Sequence, residues 1–520
     1  MILLAEITGY DAALGAERVL RYATQGWAGP GAPGFYDGRI LENPTLRRTA
    51  FASGTTGGRI EQGFGELRLA NPDGALDGLA DFGFDGRNLT LRVGEAHQAY
   101  GAFTVLLRGT IEQPTFSELR IAFRIRDRIF ELDKPVQEAT YAGTNIGASG
   151  VEGTADTIKG RRKPRLWGRV LGVSPVLVNA PAQIWQVNDG PISAATMFEG
   201  GIAIANGAPY ASLAELQAVS PAAGQARAWL AGGLIRLGSS PTLQVTADVD
   251  EGAAAADRTA AQVLSRMAAA AGILSGDMVA ADVAALDLAA PGQVGVWTNG
   301  EGSFISAMEQ VAAGVGAWVG FDRLGRLRMR RLEVPAGSPV ATLAILDRGS
   351  ASGPATADIV SLERMPTNDA GRGVPAWRVT LSYGRIWTPL ERDALALGVS
   401  DARAAFLREP VRNAVAENAA VKSKHLQAND LAFESLLVSE ADAQAEAARR
   451  LVMFASRRDR LRVRVVTRPD MLAAIDLGAI VSVATHRYGY ASGRLMVVTG
   501  IEMGADGWGR PDVLTLDLWG

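Results

Sequence analysis

The chain has no cysteine and only three histidines among its 520 residues. Without thiols there is no disulfide framework, no iron–sulfur cluster, no thiol nucleophile and no cysteine zinc site, and such a composition suits assembly in a reducing cytoplasm. Neither sign of charge dominates: 52 Lys and Arg face 55 Asp and Glu, giving a formal net charge of -3. That balance disfavours a basic nucleic-acid binder. Long apolar runs are also missing. The opening Met1-Ile2-Leu3-Leu4-Ala5 stops at Glu6 and has no basic flank, so a secretory signal does not fit. No segment is long and apolar enough to span a bilayer.

What the chain does have is glycine, 60 residues of it, with 23 prolines and no collagen-like period. In a sequence that is 48% hydrophobic and 21% charged, this punctuation implies many turns between short strands, in roughly three or four domains. Leu89 to Val93 alternates as a strand does, Phe103 to Leu107 is a short apolar run, and Leu119 to Ile129 alternates again. In that last run Leu119, Ile121, Phe123, Ile125 and Ile129 share one face, and Arg120, Arg124, Arg126 and Arg128 the other, which predicts a half-buried strand with a basic outer side. Asn71-Pro72-Asp73-Gly74 and Asp85-Gly86 are turn chemistry.

The polar, glycine-rich run from Ala142 to Gly160, followed by Arg161-Arg162-Lys163-Pro164-Arg165, reads as a linker entering a small domain. Strands are expected at 166–173 and 183–187, and a short helix at 212–219 before Pro221. Helical spacing then appears at Val263, Leu264, Met267 and Ala271, and at Phe304, Ala307, Met308 and Val311, with Ser303 as an N-cap. Asp322-Arg323-Leu324-Gly325 joins a hairpin of 317–321 with 326–334. Strands return at 377–383. A long helix is predicted from Ser439 to about Arg458, with Ala443, Ala447, Leu451 and Phe454 on one face and arginines in its last turn. Strands at 461–466, 479–484, 495–499 and 513–518 close the chain. The domain boundaries expected are 1–140, 141–245, 246–340 and 341–520. A short internal echo relates Val105 to Glu112 with Met496 to Glu502, which fits either chance recurrence of strand-Gly-strand patterns or a duplicated barrel.

Motifs with chemical meaning are sparse. Gly29-Pro30-Gly31-Ala32-Pro33-Gly34 satisfies G-x-G-x-x-G, but two prolines remove the backbone donors a pyrophosphate needs, so it reads as a surface loop. Gly314, Gly316 and Gly320 follow a helix instead of opening one, and no Gly-Lys pair supports a P-loop. His97, His425 and His486 are too scattered for a metal motif, and no G-x-S-x-G elbow supports a serine triad. Asp73, Asp77, Asp81 and Asp85 recur among glycines without the ligand spacing of a calcium loop, and read as solvated turns. Two basic groups, 161–165 and Arg323, Arg326, Arg328, Arg330 and Arg331, lack interleaved aromatics. Solvated strand faces or inter-subunit ion pairs outrank nucleic-acid binding there. No catalytic, cofactor-binding or metal-ligating residue is assigned, and no cofactor is expected.

Several segments resemble tail proteins of long-tailed bacteriophages and gene transfer agents. They are Lys163-Pro164-Arg165-Leu166-Trp167-Gly168-Arg169-Val170, Val173-Ser174-Pro175-Val176-Leu177-Val178, Gln186-Val187-Asn188-Asp189-Gly190, Leu234 to Ser239, Val245 to Val249 and Gly316 to Asp322. The run from the Ser439 helix through Leu477-Gly478, Arg487-Tyr488-Gly489, Gly493-Arg494 and Leu514-Thr515-Leu516 resembles the closing domain of a baseplate or tail-tip hub protein. That resemblance implies a multidomain, β-rich α+β protein with two tail-tube-like β-barrels at the chain ends and smaller peripheral α+β domains between them. It implies a non-enzymatic virion component: a homotrimer whose six barrels adapt a sixfold tail tube to a threefold tip and help form the channel for DNA delivery. The partners implied are the tail tube, the distal tail protein, the tape measure protein and tip or fibre proteins. DNA would pass the lumen without specific binding, and no stable membrane insertion is expected. The protein would be made in the bacterial host cytoplasm and reside at the tail tip of the particle. The alternative is a tail-associated cell-wall hydrolase or carbohydrate-binding tail protein, motivated by loop aromatics such as Trp27, Tyr36 and Trp508.

Overall fold

The computed structural model describes residues 1–52, 55–345, 357–365, 374–466, 469–504 and 513–520. The first unit contributes β1 (Ile2–Asp11), β2 (Ala16–Ala23), β3 (Ile40–Glu42), β4 (Leu46–Thr49), β5 (Gly58–Arg59), β6 (Glu61–Phe64), β7 (Glu66–Ala70), β8 (Phe82–Gly83), β9 (Asn88–Gly94), β10 (Thr104–Ile111), β11 (Thr115–Ser117) and β12 (Arg120–Arg126). Its main sheet runs β2-β1-β9-β10-β12-β7-β3. Asp37, just before β3, bridges Tyr22 of β2, so the sheet curls almost into a closed barrel. Alternation sets the inside: Leu89, Leu91, Val93, Ile121, Phe123 and Ile125 are buried, and Arg120, Arg124 and Arg126 point out.

The strand predicted to reach Ile129 ends at Arg126. Asp127 accepts a hydrogen bond from the Ile129 N–H and caps a 3₁₀ turn, which carries Arg128 off the basic face and onto Glu131 and Asp277.

The middle of the chain supplies β13 (Thr144–Ile146), β14 (Ser149–Thr154), β15 (Arg165–Val173), β16 (Val176–Asn179), β17 (Ile184–Gln186), β18 (Ala194–Glu199), β19 (Ile202–Ala203), β20 (Ala205–Asn206), α1 (Leu213–Ala218), β21 (Gln225–Trp229), β22 (Leu234–Leu237) and β23 (Val245–Asp250). The run expected as a linker is instead a hairpin, β13–β14. Gly147 makes its turn at φ +58°, and Asn145 and Asn179 side chains tie it to the β16 strand at Val178 O and from Asn179 to Gly150 O. Two five-stranded sheets then share an apolar core that includes Leu166, Val170, Ile235 and Val249.

Next come α2 (Ala260–Ala270), α3 (Ala280–Ala289), β24 (Gly295–Thr298), α4 (Phe304–Gly314), β25 (Ala317–Phe321) and β26 (Leu327–Arg331). Both helices legible in the sequence are present. Ser303 sits at the N-cap of α4, although its side chain makes no capping hydrogen bond.

The last unit comprises β27 (Ala341–Ala344), β28 (Ala357–Met365), β29 (Ala376–Tyr383), α5 (Asp401–Arg408), β30 (Arg412–Glu417), α6 (Ala419–Lys424), β31 (Asn429–Phe433), α7 (Glu440–Phe454), β32 (Arg460–Val466), α8 (Pro469–Ala474), β33 (Ile480–Ala484), β34 (Arg494–Met503) and β35 (Val513–Trp519). Ser439 caps α7 through the Asp442 N–H, as expected. The helix ends four residues early, at Phe454, so the arginines assigned to its last turn lie beyond it. Arg458 reaches back to the Met453 carbonyl from outside.

β33, β27, β28, β32, β35 and β34 pair in sequence, and β34 pairs again with β33, closing a six-stranded barrel. The expected β-rich α+β architecture, with a barrel at each end of the chain, is therefore observed. Moreover, the barrels share one plan. Numbering their six main strands in chain order, β2-β1-β9-β10-β12-β7 and β28-β27-β33-β34-β35-β32 both follow second, first, fourth, fifth, sixth, third. They differ in strand one: β1 is antiparallel to both neighbours and β27 parallel to both. The sequence echo falls on the fifth strand of each barrel. Gly109 and Gly500 both leave no room toward strand six, since a Cβ would lie 3.1 Å from Arg126 O and 2.9 Å from Asp517 Oδ2.

Candidate functional site: the seam between the barrels

The hairpin of β4 and β6 leaves the first barrel and joins the second. β4 pairs antiparallel with β34, from Gly500 opposite Thr49 to Met503 opposite Leu46, and β6 extends the sheet further. Beside it, β5 pairs with β25, and Gln62 Nε2 donates to Phe321 O at 2.6 Å. Leu106 and Leu107 of β10, with Leu472 and Ile475 around α8, line an apolar space between the barrels. One cluster of buried residues runs through both barrel interiors.

Charge is buried in this seam. Arg48 on β4 forms an ion pair and hydrogen bond with Asp476, just after α8. Burial works against ionised Asp476, but the Arg48 charge, the Leu477 N–H and Arg323 outweigh it and hold the carboxyl below its ordinary value. Arg323, at the β25–β26 turn, donates to Val105 O, and its own carbonyl accepts from the Arg108 N–H at 2.8 Å.

The other arginines of the 323–331 group are all paired within the chain, Arg326 while still exposed to solvent. Arg326 pairs with Asp322 at 2.8 Å, Arg328 and Arg330 both engage Asp282, and Arg331 meets Glu446 at 2.6 Å. Glu446 also accepts from Arg450 Nε at 2.6 Å and Arg449 Nη2 at 2.8 Å, so one carboxylate on α7 gathers three guanidiniums. Burial alone would raise its carboxyl, but Arg449, Arg450 and Arg331 together hold it below the usual range. Burial lowers Arg331 to about 10, leaving it cationic at neutral pH. Arg450 completes the tie by donating to Ala313 O and Gly314 O at the end of α4. Three members of the 161–165 group are also tied within the chain: Lys163 pairs with Glu152 at 2.7 Å, Arg162 donates to Gly300 O at 2.7 Å, and Arg165 donates to Asp189 O.

The remaining motifs stay apart. Gly29 to Gly34 is a largely exposed loop with no helix after it. His97 and His486 are exposed and His425 half-buried; His97 lies in the first unit, and His425 and His486 lie on separate elements of the last. Asp73, Asp77, Asp81 and Asp85 are exposed around a 3₁₀ turn, with Asp73 paired to Arg39 at 2.7 Å. Among the described residues, no group of three or more His, Asp and Glu is placed to hold a metal ion, and no helix is long and apolar enough to cross a membrane. Trp27 and Tyr36 are not a sugar platform: both are buried, with ring centroids 5.6 Å apart and the Trp27 Nε1 donating to Ala96 O. Trp508 lies outside the described residues.

The residues that sequence reasoning missed are the carboxylates Asp282, Glu446 and Asp476. The local signals were the i,i+3 and i,i+4 spacings of Glu446 with Arg449 and Arg450.

No protein-family profile and no curated protein sequence matches the chain. Among solved structures it is similar to the tail protein from Neisseria meningitidis MC58, at 10% identity over 100% of this chain and 96% of that one, with a TM-score of 0.42. It is similar to the 43 kDa tail protein of prophage MuSo2 from Shewanella oneidensis, at 11% identity over 100% and 97%, with a TM-score of 0.40. A chain in the virion of a native gene transfer agent particle is similar at 16% identity over 75% and 91%, with a TM-score of 0.40.

Proposed function

We propose that this chain is a non-catalytic structural component of a phage-like tail: the tail-tip, or baseplate, hub. Three copies would place six barrels in a ring that continues a sixfold tail tube and ends in a threefold tip. The observation that carries this reading is the pair of barrels with one strand plan in a single chain, joined side by side through β34 and β4. Three such chains repeat the barrel six times. Head-to-tail contacts of this kind close into a ring when the rotation fits, and closure removes exposed sheet edges.

The sequence segments that resemble tail proteins supply the setting: a virion tip assembled with tail tube, distal tail, tape measure and tip or fibre proteins. In this reading 1–140 and the barrel part of 341–520 form the ring, and 141–245 and 246–340 lie outside it. DNA crosses the lumen without specific binding, in keeping with a net charge of -3.

Immunogold labelling of purified tail-bearing particles tests the proposal. Label confined to the distal tip, followed by a threefold reconstruction showing six barrels, is the expected result. Absence of the chain from particles would refute it.

A further inference from the structure

The arginines that follow α7 gather with others at one end of the second barrel. Asp459, at the entry to β32, pairs with Arg364 at the end of β28 and with Arg457 at 3.5 Å, and accepts a hydrogen bond from the Tyr490 hydroxyl. The Arg494 guanidinium lies 5.8 Å from the Tyr490 ring centre and that of Arg458 5.4 Å from the Trp519 ring, and Arg460 stands opposite Trp519 across the β32–β35 pair. Arg487, 5.7 Å from the Tyr488 ring, extends the group onto the β33–β34 turn. Six arginines thus share one aspartate, and among the described residues Arg458, Arg460, Arg487 and Arg494 form no ion pair. Even a terminal carboxylate at Gly520, whose backbone pairs with that of Asp459, leaves this end of the barrel positively charged. Burial and the nearby Arg494 charge both lower Arg458, as expected of cations crowded without counter-ions. The overall charge of -3 conceals this local excess.

The tip of the β33–β34 turn is strained. The Tyr490 N–H donates to Arg487 O at 3.1 Å, and both residues between them have positive φ, Tyr488 at 61° and Gly489 at 80°. Turns of this shape favour Asn-Gly, because asparagine tolerates the left-handed region and a bulky side chain does not. Tyr488 nonetheless occupies the position, 47% exposed and preceded by exposed His486 and Arg487. Strain kept in order to present an aromatic ring to solvent argues for a ligand that uses the ring.

Unpaired guanidiniums around an open aromatic ring match one class of partner: phosphates take the arginines and a base takes the ring, whereas a polyanion without bases uses only the charge. We infer that the barrel end around Asp459 and the β33–β34 turn binds single-stranded DNA independently of sequence, with Arg458, Arg487 and Arg494 on phosphates and Tyr488 stacked on an unpaired base. The site goes beyond the hub reading and rests on it only for the source of the strand, an end of the DNA delivered through the tail.

Fluorescence anisotropy of the full-length chain with labelled single strands of two unrelated sequences, at several salt concentrations, tests the inference. Equal affinity for the two, weakening as salt rises, is expected. Arg487→Gln with Arg494→Gln should reduce the slope of log affinity against log salt by about 1.4, the loss of two phosphate contacts on a single strand. Tyr488→Asn suits the turn, so it should melt no lower than the parent chain yet bind at least ~5-fold more weakly. Arg120→Gln, which removes an exposed arginine from β12 of the first barrel, is the control and should alter neither slope nor affinity. No binding at low salt, or a loss in the patch variants no larger than in Arg120→Gln, overturns the site. Undiminished binding by Tyr488→Asn, with heparin competing as well as unlabelled DNA, overturns the assignment to nucleic acid. The position of the chain in particles is read by labelling and not by this titration, so the hub reading and the DNA site can each fail alone.

Discussion

Replacing Glu446 by Gln keeps the shape of the side chain and removes the charge on which Arg331, Arg449 and Arg450 converge. Glu446 is 6% exposed and Arg450 2%, and the two carboxylate oxygens accept hydrogen bonds from all three guanidiniums. A glutamine has one acceptor oxygen and turns an NH₂ group toward the remaining donors. Breaking a buried charge cluster from one side costs about 3–5 kcal/mol, because the surviving charges stay buried. For a cooperative unit of about 150–250 residues each kcal/mol moves Tm by about 2–4 °C, so the unit containing α4 and α7 should melt roughly 6–20 °C lower. Differential scanning calorimetry at pH 7 reads the shift.

The pH dependence supplies a second check. The folded carboxyl sits below its unfolded value of about 4.5, so its stabilisation is complete above that pH and is lost as pH falls through the depressed folded value. The gap between wild type and E446Q should therefore be constant from pH 7 down to about pH 5 and narrow below it. A change in Tm under about 2 °C at pH 7 would refute the argument that this cluster holds α7 to α4.

Arg48→Met should destabilise the seam by about 1–3 kcal/mol by removing the main counter-ion of half-buried Asp476, whereas Arg48→Met with Asp476→Leu should recover most of the loss; denaturant titration of the three proteins measures the coupling. Gly295→Ala would place a Cβ 1.7 Å from Arg169 O, so β24 should separate from β15, at a cost of at least about 1–3 kcal/mol and with faster amide exchange in β24. Trp27→Ala removes a buried ring packed on Tyr36 and Phe103 and should cost about 3–5 kcal/mol, read by thermal melting, while leaving any affinity for peptidoglycan fragments in calorimetric titration unchanged.

Period-two alternation made the barrel strands readable, since Leu89 to Val93 and Ile121 to Ile125 each bury one side of a sheet. The same rule misjudged Arg328 and Arg330. They alternate with buried residues, as a solvated face does, but Asp282 on α3 covers that face, and nothing local foretells a partner on another element. β4 was unreadable for a related reason: Leu46-Arg47-Arg48-Thr49 has no apolar period, and its strand conformation comes from pairing with residues 500–503. The Gly109 and Gly500 echo was visible, but its meaning depended on strand order, a property of the whole barrel. No seam carboxylate stood out among the 55 acidic residues, because burial selects them and the sequence alone does not show burial.

The pairing of β4 with β34 also constrains the order in which the protein is made. Residues 46–64 leave the ribosome long before residues 494–503, and at about 5–20 residues per second the interval is roughly 20–90 s. Throughout that time the early hairpin has no sheet to join, and Arg48 has no counter-ion from Asp476. A nascent chain therefore carries a hairpin with one open edge until synthesis is nearly complete, and a prematurely terminated product keeps that edge open. A chain that stops short of β34 thus keeps an open strand edge on β4, the kind of edge on which unwanted pairing starts.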